Sequence, residues 1–168
     1  MQRACVYMAV LAVLAGFFGK AWCEEPQAID EAQMKAAVEA FSAGQEKQKA
    51  GDLKGAIEQW DHAIKLNPAY AGCMNHYSWF LAVDAPAELK DLDKALALAL
   101  KAVELTKGHH KDIDDTLAEV YFQRKAYPEA VAWGKKALGE GLEGHSKKDY
   151  LEGQLAKFEK ALKDSGAK

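Results

Sequence analysis

Residues 44–68 read GQEKQKAGDLKGAIEQWDHAIKLNP, and this stretch decides the fold. Gly51-Asp52 predicts a turn between two segments. After the turn, apolar residues recur at the spacing of one helix face: they are Leu53, Ala56, Ile57, Trp60, Ala63 and Ile64. Asn67-Pro68 ends the second segment, because proline disfavours the α conformation in the residue before it. The stretch therefore predicts a helix, a tight turn and a second helix.

Six residues in and around this stretch resemble the tetratricopeptide repeat, a unit of two antiparallel helices in about 34 residues. With Ala37 at the first position, they match the small residues of both helices, the turn glycine, the large residue of the second helix and the closing proline. These residues are Gly44, Gly51, Ala56, Trp60, Ala63 and Pro68. The resemblance implies that each helix pair crosses closely at its small residues.

The same pattern recurs twice further along the chain. The alanines of the second helices are Ala56 and Ala63, Ala95 and Ala102, and Ala130 and Ala137. The small residues of the first helices are Gly44, Ser78 and Ala118. The resemblance therefore implies three repeats, at residues 37–70, 71–110 and 111–144. The second repeat carries a longer turn at residues 84–90, and its first helix is predicted to reach about Val83.

The two ends of the chain differ from the repeats. Residues 24–36 are interpreted as a linker and the start of the first helix, which Asp30 can cap. Residues 145–168 predict a last helix with an apolar stripe of Leu151, Leu155, Phe158 and Leu162. Such a helix either caps the last repeat or lies on a membrane surface. The expected fold is all-α: a right-handed α-solenoid of three tetratricopeptide repeats plus a C-terminal capping helix.

Residues 1–23 predict a signal peptide. Residues 4–18 form an apolar run that is shorter than the roughly 20 residues of a membrane-spanning helix. Small residues allow cleavage before Trp22 or before Glu24. We therefore expect an exported bacterial protein of the periplasm, with no stable membrane span after cleavage.

Charge and motifs argue against several functions. Removing residues 1–23 leaves 20 basic and 25 acidic residues, a net charge of −5, which disfavours nucleic acid as a partner. No catalytic motif is present, and no two histidines share the i, i+4 spacing of a metal site. We therefore expect no enzymatic activity, no metal and no cofactor. Cys73 is interpreted as a packing residue; the alternative, a reactive thiol, would need His76 as its base.

The resemblance also implies a concave groove, lined by the first helix of each repeat, that binds a protein or peptide partner. The candidate groove residues are Phe41, Gln45, Gln48, Asn75, His76, Trp79, Asp112, Asp115, Glu119 and Phe122. The three aromatic residues either anchor a ligand or belong to the core. The three acids favour a partner with a basic segment. Family members that grip a terminal carboxylate use basic residues and asparagine at specific groove positions, and this chain departs from that pattern at Phe41, Gln45 and Asp112.

These observations favour a non-enzymatic protein-binding module of the bacterial cell envelope that binds an extended peptide in its groove. One alternative is a structural or assembly subunit that forms homo-oligomers or stacks in a larger envelope complex. An exposed apolar patch on the second helices would support that alternative. Another is a regulatory accessory of a neighbouring enzyme.

Overall fold

The computed structural model describes residues 30–139 and 146–166. Its elements are α1 (Glu31–Lys49), α2 (Leu53–Leu66), α3 (Ala71–Trp79), a π-helical turn (Phe80–Asp84), α4 (Leu92–Leu105), α5 (Lys111–Gln123), α6 (Tyr127–Leu138) and α7 (Ser146–Asp164). The described residues contain no strand. The predicted signal peptide and residues 24–29 of the predicted linker lie outside this part of the chain.

Consecutive helices pack in pairs that stack along one direction. In the described part of the chain, α1 packs on α2, α3 on α4 and α5 on α6. The first helix of each later pair also contacts the pair before it. Helix α3 contacts α2, and helix α5 contacts both α3 and α4. Helix α7 follows the third pair and packs on α6. The predicted all-α solenoid of three helix pairs and a capping helix is therefore confirmed.

Local signals in the sequence fix the helix ends. Asp30 accepts a hydrogen bond from the Gln33 backbone N–H at 2.6 Å and caps α1, as expected. Asp52 caps α2 by accepting from the Gly55 backbone N–H at 2.9 Å. Gly51 has a φ of +84°, a backbone conformation that residues other than glycine rarely adopt. Helix α2 ends at Leu66, before Asn67-Pro68.

Small residues allow the two helices of each pair to approach closely. Ala56, Ala95 and Ala130, the predicted crossing residues, are fully buried. In the second pair the Ser78 hydroxyl donates to the Ala95 carbonyl at 2.8 Å, which joins α3 directly to α4. In the first pair the buried Trp60 ring lies directly against Gly44. The crossings therefore lie where the repeat pattern predicts them.

The first helix of the second pair does not remain α-helical as far as Val83. Helix α3 ends at Trp79, and the chain continues in a π turn to Asp84. The Ala85 N–H donates to the Phe80 carbonyl at 2.8 Å, a bond that encloses one residue more than an α turn. Pro86 follows and keeps Ala85 extended. The π turn buries Phe80, Leu81 and Ala82 in the core.

The apolar stripe of α7 packs against the third helix pair. Leu151 and Phe158 are buried, and Leu155 and Leu162 are partly buried beside Phe158. This confirms the end-cap interpretation, because the protein itself covers the stripe that a membrane surface would otherwise cover. No helix within residues 30–139 and 146–166 has the length and apolarity needed to cross a bilayer.

Candidate functional site

Two of the candidate residues on α1, Phe41 and Gln48, contact the middle of α3. The Phe41 ring lies edge-on to the His76 ring, with 5.5 Å between the centroids. Gln48 Oε1 lies 3.1 Å from His76 Nε2. Gln45, on the same helix, is partly buried. The structure therefore brings Phe41, Gln48 and His76 together in one cluster between α1 and α3.

His76 also touches the core beneath this cluster. Its ring centroid lies 5.0 Å from that of the buried Trp60, in an edge-to-face arrangement. Burial lowers the pKa of His76 below 6.5, so the imidazole is neutral at pH 7. The cluster of Phe41, Gln48 and His76 therefore consists of aromatic and amide groups with a neutral imidazole.

Trp79 differs from the other two candidate aromatic residues. Phe41 packs against the main core, and Phe122 packs against Phe158 with 5.3 Å between the ring centroids. Trp79 is partly buried at the end of α3, and it belongs to none of the apolar core clusters of the described residues. Of the three aromatic residues, Trp79 is therefore the one that no core cluster uses for packing.

Two of the three candidate acids pair with lysines of α7. Asp112 is exposed and forms an ion pair with Lys147. Glu119 is only 3% exposed; it pairs with Lys157 and accepts a hydrogen bond from Gln154 Nε2 at 3.2 Å. The charge of these two acids is therefore neutralised within the chain.

Sequence reasoning placed no groove residues on α7, although a signal for them was present. Lys147, Tyr150, Gln154 and Lys157 repeat the spacing of Asp112, Asp115, Glu119 and Phe122 on α5. The partners match as well: Lys147 pairs with Asp112, Tyr150 with Asp115 and Gln154 with Glu119. Helix α7 thus pairs with α5 in the position that the first helix of a fourth, incomplete repeat would occupy.

Asp115 lies in a different environment from the other acids. It is 6% exposed, and its Oδ1 atom has no hydrogen-bond partner. Burial raises the pKa of Asp115 to about 6, and the nearby Glu119 charge adds to this increase. A hydrogen bond from the Tyr150 hydroxyl and the charge of Lys157 act in the opposite direction. Asn75 on α3 likewise has a buried Oδ1 without a partner.

The described residues show neither a metal site nor a reactive thiol. They contain no group of three or more His, Cys, Asp or Glu side chains arranged to hold a metal. Burial raises the pKa of the Cys73 thiol to about 12, and the sulfur lies 3.8 Å from the Trp60 carbonyl in the core. The thiol is therefore protonated at pH 7, as the packing interpretation requires.

Comparison with known proteins identifies the fold. No family model and no curated protein sequence matches the chain. The structure is similar to the N-terminal domain of stress-induced protein-1 (STI-1) from C. elegans, with a TM-score of 0.60 and 18% identity over 77% of this chain and 99% of that one. It is also similar to the first TPR of Spaghetti (RPAP3), bound to the HSP90 peptide SRMEEVD. The TM-score is 0.63, with 18% identity over 77% of this chain and 94% of that one.

A third similar structure is the Arabidopsis OM64 TPR domain, with a TM-score of 0.60 and 23% identity over 74% of this chain and 98% of that one. All three are tetratricopeptide-repeat domains. The chain therefore has the tetratricopeptide-repeat fold that the sequence pattern predicted.

Proposed function

We propose that this protein is a non-enzymatic interaction module that binds an extended peptide in the groove lined by α1, α3, α5 and α7. The tetratricopeptide-repeat fold supports a role in protein–protein interaction. The observation that carries the proposal is Trp79, a large aromatic side chain on the central groove helix that the core clusters leave out. Large aromatic residues at the centre of an interface commonly dominate its binding energy.

The ligand differs in chemistry from a peptide held by its terminal carboxylate. The Spaghetti domain is described as bound to the HSP90 peptide SRMEEVD. In this chain Phe41 and Gln45 occupy the α1 positions where the resemblance expects carboxylate-binding residues, and Asp112 stands at the start of α5. Asp112 is an acceptor paired with Lys147, so this position does not supply the basic side chain that grips a carboxylate. We therefore propose an internal, extended segment as the ligand.

Peptide selection with a matched pair of variants tests this function. A random heptapeptide phage library is selected on the full chain, and affinities are measured by fluorescence anisotropy. Trp79→Ala is expected to weaken binding by at least about tenfold at any salt concentration, because loss of an anchor commonly costs about 2 kcal/mol. Leu100→Ala removes an apolar side chain that is 42% exposed on α4, outside the groove, and should leave affinity unchanged.

The opposite result would favour the structural alternative. If Leu100→Ala weakened binding and Trp79→Ala did not, the second helices would form the interaction surface. Among the described residues, the exposed large apolar side chains are Met34, Val38, Leu100 and Tyr150, and of these Leu100 alone lies on a second helix. A single residue does not make the apolar patch that this alternative requires.

We also propose that the protein acts in the bacterial envelope, in the periplasm. The proposal rests on the signal-peptide pattern of residues 1–23. Mass spectrometry of the protein from the periplasmic fraction should find Trp22 or Glu24 at the N-terminus. A chain that retains Met1 in the cytosolic fraction would contradict the proposal.

A further inference from the structure

Helix α5 carries four acidic side chains, and one of them lacks a cationic partner. The four are Asp112, Asp114, Asp115 and Glu119. Lysines of α6 and α7 form ion pairs with the first, the second and the fourth. Of these four, Asp115 alone has no ion-pair partner within the described residues. The lysine that acts on its charge, Lys157, is paired with Glu119, so Asp115 shares this cation rather than having one of its own.

The Asp115 carboxylate also has an unused hydrogen-bonding position. The side chain is 94% buried, since only 6% is exposed, and Oδ1 has no donor within reach. Buried carboxylate oxygens are nearly always hydrogen-bonded, so an atom of this kind in a folded protein points to a missing partner. Tyr150 supplies a neutral hydroxyl but no charge.

A second unpartnered acceptor lies on the adjacent groove helix. Asn75 Oδ1 is buried and lacks a hydrogen-bond partner. Asn75 and Asp115 are each the fifth residue of their helix, counted from Ala71 in α3 and from Lys111 in α5. These helices pack against each other. The two acceptors therefore occupy equivalent register positions on neighbouring helices of the groove.

We propose that Asp115 and Asn75 form a cation-binding subsite that takes the ammonium or guanidinium group of a lysine or arginine side chain in the bound peptide. The inference rests on the proposed peptide-binding function. Lysine and arginine heads are donors only, so they satisfy two acceptors without needing an acceptor in return. The carboxylate makes the hydrogen bond charge-assisted, while an anionic ligand would be repelled by Asp115.

The ionisation of Asp115 gives the subsite a pH signature. Because its pKa is raised to about 6, Asp115 is mostly ionised at pH 7 and mostly protonated at pH 5. Affinity for a lysine peptide should therefore fall by roughly tenfold between these two pH values. Glu119, Tyr150 and Lys157 face Asp115 and influence its charge. His76 on α3 is a further titratable group of the candidate site, so the test needs a variant in which only Asp115 is changed.

Position-scanning peptide libraries test the subsite. The probes are degenerate heptapeptides in which one position is fixed as Lys, Arg, norleucine or Glu, and the protein is the full chain. The wild type should prefer Lys or Arg over norleucine at one position by about tenfold, the effect of one charge-assisted contact. Asp115→Asn should abolish the preference and its pH dependence. Asn75→Ala should reduce the preference, which provides a second variant if the first does not fold.

Two controls separate the possible outcomes. Glu104→Gln, which removes an exposed carboxylate on α4 outside the groove, should keep the preference. Trp79→Ala should weaken all peptides equally. If peptides bind in a Trp79-dependent way but show no basic preference, or if Asp115→Asn retains it, the subsite is refuted and the groove function stands. If no peptide binds through Trp79, the groove function fails and the subsite fails with it.

Discussion

Gly44 and Trp60 form a close contact between the helices of the first pair. A glycine inside a helix is less favourable than alanine by about 1 kcal/mol, so its presence in α1 needs a reason. A Cβ atom at Gly44 would lie 2.4 Å from Trp60 Nε1 and 2.5 Å from Trp60 Cδ1. Because the indole is fully buried, it has little room to move away. The packing of Trp60 therefore requires glycine at this position.

Gly44→Ala is expected to lower the melting temperature, although it raises helix propensity. The overpacked contact should cost about 1–3 kcal/mol, which exceeds the propensity gain. Gly153→Ala is the matched control, because Gly153 is exposed on α7 and a Cβ there meets no atom within 4 Å. This control should stabilise the protein by up to about 1 kcal/mol. Thermal unfolding followed by circular dichroism compares the two, and stabilisation by both would show that Trp60 can repack.

Residues with a fixed role within one repeat could be predicted from the sequence. Gly44, Ala56 and Ala95 were found by their offsets, because close helix contacts within a pair depend on local spacing alone. The spacing of α7 repeats that of α5, but spacing alone does not show that Lys147 pairs with Asp112 or Lys157 with Glu119. These pairings depend on the rotation of α7 against α5, which is fixed by the burial of Phe158 and Leu151 far along the chain. Whether the ten candidate residues bind a ligand remains a prediction.

The second helix pair combines a tight crossing with an irregular end. Ser78 and Ala95 join α3 to α4 at the crossing through a hydrogen bond of 2.8 Å. Ala95 has no exposed surface, whereas Lys101 on the same helix points to solvent and pairs with Glu104. The buried face of α4 therefore contributes more to the free energy of unfolding than its exposed face does.

Ala95→Leu should destabilise the protein by about 1–3 kcal/mol, because a larger side chain overpacks the α3–α4 contact. Lys101→Ala should change the stability by less than about 1 kcal/mol, since an exposed i, i+3 ion pair contributes little. Urea unfolding measures both variants. Similar responses would mean that the two helices do not cross at Ala95.

The π turn at the end of α3 could not be predicted from the sequence. Periodicity in residues 71–83 indicates a helix, and those residues are indeed helical up to Asp84 in α and π conformations. The change from i→i+4 to i→i+5 bonding has no local signature, because Phe80, Leu81 and Ala82 are acceptable in either geometry. Burial of all three against the helix pairs on both sides selects the wider turn.

For the molecule as a whole, the repeat pattern was sufficient to predict the architecture. Each pair contacts only its neighbours, so a correct repeat unit implies the complete stack. The repeat pattern says less about function, because it does not specify which side chains line the predicted groove. Trp79 and Asp115 are such positions: the fold is compatible with other residues there. The roles that we propose for them rest on packing and missing partners rather than on spacing.

The face of α7 that points away from α6 affects where a duplicated helix pair could be added to this protein. That face exposes Asp149, Glu152, Glu159, Lys160 and Lys163, and none of them offers apolar surface to another helix. A copied helix pair appended after α7 would find nothing to bury its core-facing residues. A copy inserted between α4 and α5 would meet apolar neighbours on both sides. A duplicated pair within the stack would therefore find more apolar surface to pack against than one placed after α7.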